Sequence, residues 1–329
     1  MKKAFLPASP KPSFLAAAKA LLLPVIFALA ACQPVATESP VVPLASPTSA
    51  VPTNTATSTP LPPTPTITPT ATLPSSRISP QDGMTQLYIP DGSLHMGALD
   101  VNAENDEQPA HLVRVDAFWI DQVEVTNGMY ALCVAGGACR PPAKFNSDNR
   151  PSYFDNPEFR DYPVVYVTWA DAAAYCAWAA RRLPSEAEWE RAARGDDMRT
   201  YPWGDELPSP TYVNFNNSVG DTSRVGSYAA GAGPFGALDL AGNVWEWVAD
   251  LYKADYYAVS TVANPGGPPE KPGLYMRVIR GGSFQDERLN MRVSNRGYEL
   301  GPNPSLLPQD PVYAGRSSVK VGFRCASDN

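Results

Sequence analysis

The sequence predicts a loop-rich α+β domain, and three observations predict it. Apolar residues alternate in short runs bounded by Pro and Gly, three stretches carry helix-capping signals, and from Thr200 onward Gly, Pro, Asn and aromatic residues prevail over any sustained period.

The strand-like runs are Leu87-Tyr88-Ile89, His111-Leu112-Val113-Arg114-Val115 and Val123-Glu124-Val125, with Pro90 and Gly92 among the breakers; Arg277-Val278-Ile279-Arg280 before Gly281-Gly282 reads the same way. A first helix is expected from Thr126, a plausible N-cap, to Cys133. A second spans Trp169 to Arg181, Ala-rich with Asp171 near its start. The third is the clearest: Ser185 and Glu188 have the spacing of a capping box, and Gly195 stops the helix after Arg194.

Ahead of this domain the composition changes. Lys2, Lys3, Lys11 and Lys19 precede the apolar run Ala20 to Ala31, a signal-peptide pattern too short for a stable membrane span. It ends in Leu29-Ala30-Ala31-Cys32, which resembles the bacterial lipobox. That resemblance implies removal of residues 1–31 and attachment of lipid to Cys32, giving an extracytoplasmic protein anchored to the cell membrane; an ordinary secretory signal with an incidental cysteine is the alternative. Residues 32–80 are mostly Pro, Thr, Ser, Ala and Val and lack the aromatic side chains needed to offset ordering entropy, so they read as a disordered stalk. At roughly 3.1 Å per residue, an extended stalk of this kind reaches on the order of 150 Å. Residues 81–329 form the expected domain. The net charge is −7 with no Lys/Arg cluster beyond the first residues, which argues against a nucleic-acid partner.

Within the domain six segments occur in order: Phe118-Trp119-Ile120-Asp121 with Val123-Glu124-Val125-Thr126-Asn127; Arg182-Leu183-Pro184-Ser185-Glu186-Ala187-Glu188-Trp189-Glu190; Tyr201-Pro202-Trp203-Gly204; Gly242-Asn243-Val244-Trp245-Glu246-Trp247; Arg280-Gly281-Gly282-Ser283-Phe284; and Gly322-Phe323-Arg324-Cys325. Together they resemble the sulfatase-modifying factor, or formylglycine-generating enzyme, family. The resemblance implies a complex C-type-lectin-like fold with short strands and about three helices. The residues themselves place Trp189 and Trp203 in the core, since a loop-rich domain buries large rings in place of long helices.

The cysteines bear on function. If Cys32 carries lipid, four remain, an even number that invites two bridges; one bridge with two free thiols is the alternative. Cys133 and Cys139 enclose a short Gly-Gly loop and can pair locally, and the resemblance implies that Cys176 pairs with Cys325. The family's oxidase binds copper(I) through two cysteines shortly after its Gly-Gly-Ser motif. Those positions are Asp286 and Met291 here, beside Ser283 in the same cleft, and neither offers the thiolate that copper(I) demands. Copper is therefore not expected. The family's iron members take histidines from an extra helical domain, whereas this chain has only His95 and His111, both near strand-like sequence and read as structural or surface residues. The same scarcity argues against zinc hydrolysis or a Ser-His-Asp triad.

Calcium is the ion the resemblance implies, held by hard oxygen ligands. One site would use Asp239, Gly242, Val244 and Glu246, with Gly242 and Val244 contributing backbone oxygen. Another would use Asn214 and Phe215, although the partner loop near Asp221 is shorter than in some relatives. The alternative for Glu246 is a buried carboxylate satisfied by backbone donors. Two functions follow as expectations: a non-catalytic binding or scaffold lipoprotein for glycan or protein ligands, or a divergent formylglycine-generating or related oxidase acting on protein cysteine around Ser283, Asp286 and Met291.

Overall fold

The computed structural model describes residues 75–329; the signal-like segment, Cys32 and nearly all of the expected stalk lie outside the described residues. Strands β1 (Ser76–Ile78), β2 (Thr85–Ile89), β5 (Phe118–Asp121) and β10 (Ala326–Asp328) form an antiparallel sheet in the order β1-β2-β5-β10. Leu87 lies opposite Ile120 and Ile89 opposite Phe118, and all four side chains enter the main apolar cluster. Ser76–Ile78 falls inside the range assigned to the stalk, so ordered structure begins ahead of residue 81: this short exposed strand is held by ladder hydrogen bonds to β2, which composition does not reveal. Strands β3 (Gly92–Met96) and β4 (His111–Val115) form a separate hairpin that buries Leu94 opposite Val113.

The alternation at Val123-Glu124-Val125 does not make a strand. Its backbone bonds leave the ladder, with Val125 N–H donating to Phe323 and Val125 C=O accepting from Val164, while Glu124 is buried rather than solvent-facing. Period-2 alternation arises here because the charged member sits in a polar network.

Helix α1 (Asn127–Ala135) starts where expected, with the Thr126 hydroxyl accepting from Met129 N–H, and runs two residues beyond Cys133. Helix α2 (Trp169–Trp178) is capped by Thr168 and Asp171 in a reciprocal box. It ends before the expected Arg181 because Ala180 adopts a positive φ of 56° and Arg181 N–H turns back to Cys176 C=O. Helix α3 (Glu186–Arg194) has both bonds of the Ser185/Glu188 capping box and stops at Gly195, φ 75°.

Every residue of α3 is buried, including its charged ones. Glu186 receives Arg296 and Arg280, while Glu190 receives Arg280 and Arg194, so the charges that would oppose burial are paired along the helix. Truncating one partner of such a pair costs on the order of 3–5 kcal/mol, so these residues fix how α3 sits against its neighbours.

The second sheet contains β6 (Trp245–Leu251), β7 (Met276–Arg280), β8 (Arg296–Leu300) and β9 (Val321–Phe323) in the order β8-β7-β6-β9. β6 and β9 are parallel and the other pairs antiparallel. Two disulfides close the fold, Cys133–Cys139 and Cys176–Cys325. Among the described residues no helix is long and apolar enough to cross a membrane.

Candidate functional site

The turn after β7 assembles the candidate cleft. Gly281 and Gly282 both take positive φ, and a Cβ on Gly282 would come within 2.4 Å of Met291 Cε and 2.9 Å of Asn290 O. Glycine is required there on both counts. The chain can then turn so that Ser283 N–H and its hydroxyl both donate to Asp286 Oδ2, the former at 3.1 Å. Trp245 Nε1 donates to the same oxygen at 2.8 Å, and Lys320 Nζ lies 3.8 Å from Oδ1. Asp286 is thus a hard, hydrogen-bonded carboxylate facing an ammonium. Met291 is fully buried in a different setting, packed with Tyr201, Val213 and Ala241. Ser283 and Asp286 come together; the Met291 thioether belongs to the apolar cluster beneath them.

Trp203 stands at the edge of that cluster and departs from its expected place in the core. It is half-buried, stacked between Tyr201 and Tyr212 at centroid distances of 5.2 and 5.1 Å. Its indole N–H donates to the Glu206 carbonyl at the surface, which keeps the ring at the solvent boundary. Trp189 is fully buried as expected, its N–H donating to Glu246. His95 is exposed, and His111 lies edge-on to the Tyr257 ring at 4.8 Å.

The residues named for calcium occupy two touching loops, except Glu246, which lies in β6. Gly242, φ 69°, comes so close to the other loop that a Cβ would lie 2.3 Å from Asn214 O. Asn243 N–H donates to Asn214 C=O, and the Asn214 side-chain amide donates to the Asp221 carbonyl. Phe215, like Trp203 and Tyr212, packs against the cluster of Tyr201, Val213, Ala241 and Met291. Asp239 accepts from Gly226 N–H at 2.6 Å. Glu246 is fully buried and both its oxygens accept from Arg324, with Trp189 adding a third bond.

Glu124, which sequence reasoning gave no role, completes this cluster. It accepts from Asn243 Nδ2 and Val244 N–H. Burial holds its carboxyl well above the ordinary range, and the charges of Asp239 and Glu246 add to that. Burial likewise pushes Asp239 up to about 6. Arg324 was visible only as part of a family landmark, since nothing local marks a guanidinium as the partner of a carboxylate 78 positions earlier.

The donor set suits calcium in chemical kind. Its side-chain and backbone ligands are hard oxygens, and Asp239 and Glu246 bring carboxylates. Glu246 is the exception, because Arg324 and Trp189 already engage its carboxylate. Among the described residues no group of three or more acidic, histidine or cysteine side chains has the disposition of a metal shell.

Residues 71–329 match the sulfatase-modifying factor enzyme 1-like domain. The chain is 32% identical over 307 residues to the formylglycine-generating enzyme of Thermomonospora curvata, covering 77% of this chain and 96% of that one. It is 35% identical over 221 residues to hercynine oxygenase of Mycobacterium tuberculosis, covering 59% and 52% respectively. Among solved structures, PvdO from Pseudomonas aeruginosa matches with a TM-score of 0.63 and 28% identity, over 79% of this chain and all of that one. The expected formylglycine-generating-enzyme-like fold is therefore present, and the chain belongs to the sulfatase-modifying factor enzyme 1-like family.

Proposed function

We propose that the protein is a lipid-anchored, extracytoplasmic member of this family whose domain binds a glycan or protein ligand and does not oxidise cysteine. One observation carries the reading: where the resemblance puts the copper thiols, Asp286 is engaged by Ser283 and Trp245 and Met291 is buried, and the four cysteines among the described residues are paired. Copper(I) requires soft thiolates, and a carboxylate with a lone buried thioether does not replace them. Lipid on Cys32 would consume the fifth thiol.

The test is incubation of the full chain with a cysteine-containing sulfatase-motif peptide, copper and oxygen, read by mass spectrometry. The peptide is expected to keep its thiol; a product carrying the aldehyde would overturn the reading. The anchor is tested on cell-derived protein, where an acylated N-terminal peptide beginning at Cys32 is expected and an unmodified one beginning at Met1 would refute it.

Calcium belongs to the same proposal, as a structural ion at Asp239, Gly242, Val244 and Glu246 and at Asn214 and Phe215. When bound it would supply positive charge to the carboxylate cluster and stiffen the two touching loops. Chelation is expected to lower the melting temperature and added calcium to restore it; superimposable curves would remove the ion from the account.

The names of the relatives favour a second reading, a divergent oxidase acting in the cleft of Ser283, Asp286 and Met291. It gains support if peptide oxidation is detected and Ser283→Ala abolishes it.

A further inference from the structure

A cavity of about 800 Å³ lies between the segment around Glu270 to Tyr275 and the loop after β8, and shares no residue with the Ser283–Asp286 cleft. Its two walls are joined. Gly301 N–H donates to Tyr275 C=O and the Tyr275 and Ser305 hydroxyls are hydrogen-bonded across the gap, while Asn303 N–H donates to Tyr313 C=O within the loop after β8. Trp169 is held rigidly at the start of α2: its N–H donates to Val248 C=O at 2.7 Å, and the Arg277 guanidinium stacks on its ring at 4.0 Å.

The charge of this cavity opposes that of the chain. Arg140, Lys271 and Arg277 line it against a single carboxylate, Glu270, in a protein of net charge −7. Arg140 is paired with Asp171. Arg277 is less well compensated. Its side chain is 13% exposed and its Nε is buried without a partner. Nη1 donates to the Ala249 carbonyl, and the carboxylate that meets Nη2, on Glu270, is 83% exposed and so screened by water. Burial accordingly lowers the Arg277 pKa. A partly desolvated cation beside fixed Trp and Tyr rings, in a space of the size that holds multi-ring ligands, favours an anion carried on a body with apolar faces and hydroxyl groups.

The geometry points to this cavity as the binding site for an acidic oligosaccharide, with a uronate carboxylate on Arg277 and Lys271 and sugar rings against Trp169, Tyr275 and Tyr313. The assignment rests on the binding-module reading given above.

Titration calorimetry on the full chain tests it, with tetragalacturonate as probe and maltotetraose and a Glu-rich peptide for comparison. Tetragalacturonate is expected to bind, weaken with added salt, and lose about tenfold in affinity in Arg277→Gln, the cost of one charge-assisted contact. Lys271→Glu, an exposed change that spares the Trp169 stack, is expected to weaken it severalfold should the Arg277 variant fail to fold. Equal binding of maltotetraose would overturn the charge argument, and binding of the acidic peptide alone would overturn the saccharide. Tetragalacturonate binding untouched by Lys271→Glu would remove this cavity while leaving a binding module in place. Absence of saccharide binding would overturn the proposal, and the broader reading falls with it only if the peptide assay also yields aldehyde.

Discussion

Replacing each disulfide in turn by an alanine pair separates its contribution from that of the packing around it. Cys176 and Cys325 are 149 positions apart, whereas Cys133 and Cys139 are separated by 6. The chain-entropy relation, with loop length entering as 1.5R ln n, assigns about 5 kcal/mol at 25 °C to the long closure and about 2 kcal/mol to the short one. Cys176 and Cys325 are fully buried in the cluster that holds Tyr130, Tyr175 and Phe323, so alanine avoids adding a buried hydroxyl to the loss. Urea unfolding is expected to show C176A/C325A well below C133A/C139A in stability, by about 3 kcal/mol. Equal losses, or the reverse order, would refute loop closure as the source. The result also bears on function, since a chain that tolerated reduction of the long bridge would free two buried thiols.

Three further outcomes follow. Arg324→Met leaves Glu124, Asp239 and Glu246 without their buried cation and is expected to cost on the order of 3–5 kcal/mol, partly recovered by adding Glu246→Gln; a loss under about 1 kcal/mol in urea would refute the charge account. Burial, with the charge of Glu186 adding, pushes the Asp250 carboxyl up to about 8. The folded state then holds a proton that the unfolded chain releases above about pH 4, so this group costs stability increasingly as pH rises from about 4 to 8. Asp250→Asn should flatten that decline in unfolding free energies measured at pH 5 and pH 8, and parallel profiles for variant and parent would contradict it. Gly242→Ala meets both a positive φ and Asn214 O at 2.3 Å, whereas Gly83→Ala meets a positive φ in open space. The first should cost about 2 kcal/mol or more and the second about 1, and equal midpoints in thermal melts would count against the close approach.

The sequence made α3 legible because its signals are local: Ser185 and Glu188 cap it and Gly195 ends it. Its burial was not legible, since the partners of Glu186 and Glu190, Arg280 and Arg296, come from β7 and β8, far along the chain. The same cause misled the reading of Val123-Glu124-Val125, where a buried acid imitated an exposed one. Around the cleft, the ordered landmarks located Ser283, Asp286 and Glu246. They could not show that Trp245 bonds Asp286 or that Arg324 engages Glu246, because those partners are chosen by the meeting of β6 with the turn after β7 and with β9. The second loop cavity was missed entirely, its lining drawn from α2, β6, β7 and two proline-rich segments with no common motif.

The closing strands impose an order on biosynthesis. β9 enters one sheet beside β6 and β10 enters the other beside β5, with Cys325 between them. Neither sheet is complete, and Cys176 has no partner, until this stretch leaves the ribosome. At typical elongation rates the Cys176 thiol waits roughly 7 to 30 s for it. Once β6, β7 and β8 have been made, the nascent chain still lacks both closing strands and exposes two open sheet edges and a reactive sulfhydryl, which makes it a natural client for holdase chaperones and thiol oxidants that act late.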